Sequence, residues 1–216
     1  MIERIIAMIA PPIISTPFKP QAGKISYEDF RRLYVDQHVE WEEGEVITFM
    51  NNVKHQSILM FLSQFLGLYL GFKNLGRLYP AGVQMDLGPG FPHREPDLLV
   101  VLTANLGRVE ANKVKGPADV AIEIVSPESH ERDWGRKMSE YAAGGVGEYW
   151  IIDPLSQEVV FHRPGPDGHY QALPPTAEGW AESQGVAGFK LDPALLWQEE
   201  LPQGAAIVAM VQALLA

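Results

Sequence analysis

The run ADVAIEIVS, residues 118–126, constrains the fold more than any other stretch. It is almost continuously apolar, which suits a β-strand covered on both faces. One residue breaks the pattern: Glu123 stands between Ile122 and Ile124. A carboxylate there is buried, and burying an unpaired charge costs roughly several kcal/mol. The fold must therefore give Glu123 a partner. On local grounds a structural ion pair, a metal and a proton in acid–base work are all open.

The neighbouring segments place that strand in a sheet. Residues 53–72, VKHQSILMFLSQFLGLYLGF, carry Ile58, Leu59, Leu62, Phe65, Leu66 and Tyr69 at helical spacing, with His55 in the first turn. GRLYPAGVQMDLG reads as a strand ending near Asp86, and residues 97–102 as a short apolar strand after a proline-rich approach. ANLGRVEANKVKGP is a polar connection. HERDWGRKMSEYAAGG reads as a helix stopped by Gly144-Gly145, and VGEYWIIDP as another buried strand. From about 156 to 200 short strands and turns are expected, with a hairpin around Gly165–Gly168 and surface positions for His162 and His169. Near the start, SYEDFRRLYVDQH reads as a helix capped by Ser26, followed by a turn and strand in WEEGEVITFM. The order helix, strands, helix, strand gives an α/β core with a central mixed sheet.

The chain is 216 residues long, enough for one domain with modest additions. The boundaries expected are an arm over 1–24, the main domain over 25–200 and an apolar helix over 201–216, packed on the domain or in an oligomer interface. MIERIIAMIAPPIIS is broken by Pro11-Pro12 and reads as an extended arm rather than a signal peptide. AAIVAMVQALLA falls well short of the roughly 20 residues that span a bilayer, so no membrane association is expected. The absence of cysteine excludes disulfides and thiolate metal sites, and fits a cytoplasmic protein. A formal net charge of -10 argues against broad nucleic-acid binding, yet it is compatible with carboxylates gathered around a metal.

Three residues form a candidate constellation. Asp97 opens the strand DLLVVL, Glu123 lies inside AIEIV, and Lys137 sits on the following helix. At about 100° per residue, Lys137 falls roughly 40° from Tyr141, at the edge of the apolar arc of Trp134, Met138 and Tyr141. Its stem can follow apolar surface while its ammonium reaches a polar site. A local pair with Asp133, four residues earlier, is the plainer explanation of the same lysine. Two carboxylates from neighbouring strands can hold one Mg²⁺, and a nearby ammonium can stabilise developing charge.

PDLLVVL followed by ADVAIEIVSPESHERDWGRKMSEYAAGGVGEYWIIDP resembles the Uma-two family of restriction-endonuclease-like proteins, within the PD-(D/E)XK nuclease superfamily. The likeness covers roughly 25–200 and is most specific over 119–154. It implies an α-β-β-β-α-β restriction-endonuclease-like core with N-terminal and C-terminal β/α additions. It matches Pro96-Asp97 to the PD of the motif and Glu123 to its second acid. It departs at Val125, where the superfamily places lysine, and implies that the lysine has moved to Lys137. It also implies a catalytic role for His55, which on its residues alone could equally be an ordinary helix-end histidine.

The expectation that follows is a Mg²⁺-dependent endonuclease, with Mn²⁺ as a possible substitute, acting on nucleic acid, first of all DNA. Asp97 and Glu123 are the expected metal ligands, Asp97, Glu123, Lys137 and His55 the catalytic set, and Gln84 and Asp86 the candidates for the cleft. A homodimer fits the need to cut two strands and the apolar C-terminal segment. The alternatives are a non-catalytic nucleic-acid or protein-binding module on the same fold, and a purely structural ion cluster.

Overall fold

The computed structural model describes residues 24–34, 39–42, 44–48 and 52–216. The expected arm over 1–24 lies outside these residues except for Lys24. The chain divides into two compact units, Met1–Ile47 and Thr48–Ala216.

In the first unit α1 spans Tyr27–Leu33, and β1 (Val39–Glu42) and β2 (Glu45–Thr48) form a two-stranded sheet. Ser26 caps α1 as its position predicts, its hydroxyl accepting from the Asp29 N–H at 3.0 Å. Phe30 and Tyr34 are buried and pack with Tyr27, Trp41 and Val46.

The second unit begins with α2 (Val53–Lys73), capped by the Asn52 side chain and ended by Asn74 in the left-handed region. There follow β3 (Gly76–Pro80), β4 (Gln84–Asp86), β5 (Leu98–Leu102), β6 (Lys113–Lys115) and β7 (Val120–Ile124). A π-helical turn over Arg132–Arg136 runs into α3 (Lys137–Gly144). Then come β8 (Glu148–Asp153), β9 (Glu158–Pro164), β10 (Tyr170–Ala172), β11 (Ala181–Glu182), β12 (Lys190–Leu191) and α4 (Ala205–Leu215). Six strands form one sheet in the order β10-β9-β8-β7-β5-β3, with β7 and β8 parallel and the other pairs antiparallel. This is the central mixed sheet flanked by helices that the segment order predicts.

Side-chain alternation divides the core. Leu98, Val100, Val120, Ile122, Ile124 and Trp150 face α2 and α4, where Ile207 and Val211 are also buried. Leu99, Val101, Ala121 and Ile151 face the other way, towards Tyr141, Tyr149 and partly buried Met138. The continuous apolar runs of β5 and β7 are the signature of strands covered on both faces. β3 crosses β5 so closely at Gly76 that an added Cβ would lie 2.7 Å from the Leu102 Cα. Gly76→Ala is therefore expected to destabilise the protein by about 2 kcal/mol, as overpacking does, read from the urea midpoint at unchanged slope.

Three local expectations change. The strand read up to Asp86 is two strands, because the chain turns at Gly82 (φ 101°) and β4 leaves the main sheet. The polar connection supplies its partner: β6 pairs with β4 in parallel. A three-residue strand such as KVK has too little periodicity to be recognised alone. The helix over 131–143 contains the π turn.

His162, expected at the surface, is buried, because Tyr149, Trp134 and Tyr170 pack around its ring. His169 is exposed. Burial lowers the His162 pKa, with the contact to the Tyr149 carbonyl opposing it. The unfolded chain then binds more protons as pH falls through about 6.5, so stability is lost there. Urea unfolding of wild type and His162→Phe between about pH 7.5 and 5.5 should show the variant losing less on the acid side; parallel curves would exclude this titration.

Candidate active site

Asp97 directly precedes β5, whose Leu98 pairs with Ile122. Continuing that register by one residue sets Asp97 opposite Glu123 on the α3 side of the sheet. The Asp97 carboxylate also takes over part of the sheet's bonding: its Oδ2 accepts the Ile124 N–H at 2.7 Å. The same oxygen stands 3.3 Å from His55 Nε2, delivered by the first turn of α2. The side chain of Asp97 keeps 20% of its surface exposed, whereas Glu123, Lys137 and Asp133 keep 4%, 2% and 1%. The site thus meets solvent at Asp97.

Glu123 has the partners its burial demands. Its Oε1 accepts from the Tyr141 hydroxyl at 2.8 Å and lies 2.9 Å from Lys137 Nζ. Lys137 Nζ is also 3.0 Å from Asp133 Oδ1. The π turn carries Asp133, and Lys137 follows directly after it as the first residue of α3. Single π turns are frequent at functional sites; here Asp133 and Glu123 meet at the Lys137 ammonium. The Asp133 backbone carbonyl accepts from the Tyr149 hydroxyl at 3.0 Å, which fixes the turn against β8.

At formal charges, Asp97, Glu123 and Asp133 outnumber Lys137 and a protonated His55, so the cluster stays negative. Tyr149 registers this. Burial and then the charges of Glu123, Asp133 and Asp97 push its phenol well above the ordinary value. Burial alone would lower the His55 pKa, but the hydrogen bond and charge of Asp97 outweigh it and the net direction is upward. Its contribution to stability is complete below about pH 6.5 and is lost as pH rises through the folded value, opposite to His162.

The structure thus brings together Asp97, Glu123, Lys137 and His55. Gln84 reaches them less directly: its Nε2 donates to Glu95 Oε1 at 3.1 Å, two residues before Asp97. Asp86 pairs with Lys113 at 2.8 Å in the small β4–β6 sheet, and this bond holds its carboxyl below the usual range. It lines a cavity with Gly88, Phe91, His93 and Lys115. Sequence reasoning placed Tyr141 on the apolar arc and missed that its hydroxyl would seek Glu123, although a buried tyrosine needs such a partner. On the same helix Glu140 binds the buried Arg94 through two bonds of 2.9 and 3.1 Å. No local pattern announces that pair.

The family model Uma2, described as "Putative restriction endonuclease", matches residues 27–194. The chain belongs to the Uma2 family. Among solved structures, this Uma2 chain is similar to one titled a "putative nuclease belonging to DUF820" from Anabaena variabilis, with 23% identity and a TM-score of 0.60. The match covers 74% of the Uma2 chain and 89% of the other. At that identity it shows a shared fold. No curated protein matches. No helix of the described residues is long and apolar enough to cross a membrane.

Proposed function

We propose that this Uma2 protein is a Mg²⁺-dependent endonuclease that hydrolyses phosphodiester bonds of nucleic acid, DNA foremost. The observation that carries the reading is a buried, net negative cluster in which Asp97 and Glu123 lie across neighbouring strands and a helix delivers Lys137. The donor set fits the ion. Among the described residues no group of three or more His, Asp or Glu side chains is arranged to hold a metal. Asp97 and Glu123 would supply two carboxylates from neighbouring strands, and water and phosphate oxygens would complete the coordination. Mg²⁺ accepts one or two carboxylates with several waters, whereas zinc sites are built mainly around His nitrogen and Cys sulfur. Mn²⁺ shares the preference for oxygen.

In this reading Asp97 and Glu123 hold the ion, which supplies Lewis-acid polarisation of a phosphoryl oxygen. Lys137 stabilises the charge that develops at phosphorus and orients the attacking water. His55 holds Asp97 Oδ2 in place through Nε2, and that contact is among the causes that raise its pKa. Gln84 and Asp86 remain candidates for substrate contact, and a homodimer would place two such sites on a duplex. The rival is a non-catalytic binding module, favoured by the net charge of -10.

One experiment separates them. Purified protein is incubated with plasmid and single-stranded DNA in Mg²⁺, Mn²⁺ or chelator, beside Glu123→Gln. Metal-dependent cleavage reduced by about 100-fold or more in the variant is expected. Absence of cleavage by wild type on every substrate, with no metal binding that depends on Glu123, would overturn the reading.

A further inference from the structure

Lys137 is shared between two acids. Its ammonium lies almost equally far from Glu123 Oε1 and Asp133 Oδ1, at 2.9 and 3.0 Å, and all three side chains are buried. If Glu123 takes a divalent cation, the ammonium on the same oxygen is opposed by a like charge in a region of low dielectric. Lys137 then needs another anion within reach, or it competes with the ion. Asp133 is placed to be that anion. It is one turn away on the same helical run, and its main chain is pinned by Tyr149.

Resting on the metal-dependent reading above, we propose that Asp133 is a positioning residue. It draws Lys137 away from Glu123 and thereby sets the affinity of the Asp97–Glu123 pair for a divalent cation. An ordinary i,i+4 ion pair on a helix surface would be expendable. This one is buried and contacts the same ammonium as the proposed metal ligand.

The test is calorimetric titration with Mn²⁺ of wild type, Asp133→Asn, Lys137→Met and the double variant, each checked for folding by circular dichroism. Asp133→Asn leaves Lys137 on Glu123 and should weaken Mn²⁺ binding by about tenfold or more. Lys137→Met removes the competitor and should tighten it. In the Lys137→Met background Asp133→Asn should change affinity by less than about threefold, because the residue acts through the lysine. An equal loss in both backgrounds would show that Asp133 acts through its charge alone and would overturn the proposal. So would unchanged affinity in Asp133→Asn. If a Lys137→Met chain does not fold, Asp133→Glu decides. The longer side chain should leave binding weakened, and recovery to within about threefold of wild type would overturn the proposal. Absence of Glu123-dependent Mn²⁺ binding in wild type is a separate result, which removes the metal reading itself.

Discussion

Lys137→Met is expected to reduce phosphodiester cleavage by about 1000-fold, the upper range for removing one group that stabilises transition-state charge. It is also expected to lower stability by about 3–5 kcal/mol, because Glu123 and Asp133 lose their shared cation while staying buried. The two losses separate in the double variant with Glu123→Gln. Neutralising one acid should return part of the stability and none of the activity. Urea unfolding and plasmid cleavage on the same preparations measure both. Full cleavage by Lys137→Met would remove Lys137 from the chemistry, and unaltered stability would show that its ion pairs are not needed to bury the acids.

The second large effect lies away from this cluster. Glu148 opens β8 and is fully buried, yet the partners seen among the described residues are neutral donors. It accepts from Trp150 Nε1 at 2.8 Å, the Ser183 hydroxyl at 2.7 Å, and the N–H groups of Gln184 and Gly185 at 2.7 and 2.6 Å. One carboxylate thus joins the segment after β11 to the central sheet. Glu148→Ala leaves these donors buried without an acceptor and should cost about 3–5 kcal/mol. Glu148→Gln should fall between, since its amide nitrogen faces other N–H groups. Urea unfolding gives the magnitude, and hydrogen exchange should rise first in residues 183–185. A loss below about 1 kcal/mol in the alanine variant would mean that water replaces the carboxylate.

Comparing the two buried glutamates shows what the sequence could reveal. Glu123 announces itself because isoleucine stands on both sides in an apolar run. Glu148 is just as buried but stands between Gly147 and Tyr149 at the start of its strand, where no apolar run frames it. Three of its four donors lie more than 30 positions away, which no local pattern contains. The long helix α2 and strands β5, β7 and β8 were legible because burial on a regular element imposes a period or an unbroken apolar run. β4, β6 and the π turn were not, being short or fixed by contacts distant in sequence. The orientation of Lys137 towards the sheet followed from helix geometry, but its division between two acids did not. His162 fails for the same reason as Glu148: the rings that cover it belong to other elements.

The carboxylate of Asp97 fills a place in the β5–β7 ladder that a backbone carbonyl would ordinarily occupy. One amide, that of Ile124, is thereby protected by a side chain of the candidate site rather than by a neighbouring strand. Whatever pulls that carboxylate outward, whether an ion, a substrate or a change of protonation at His55, acts at the same moment on the seam of the sheet. The protein thus carries its own gauge: the exchange rate and chemical shift of a single backbone N–H report how the site is engaged, in the resting protein and without any turnover.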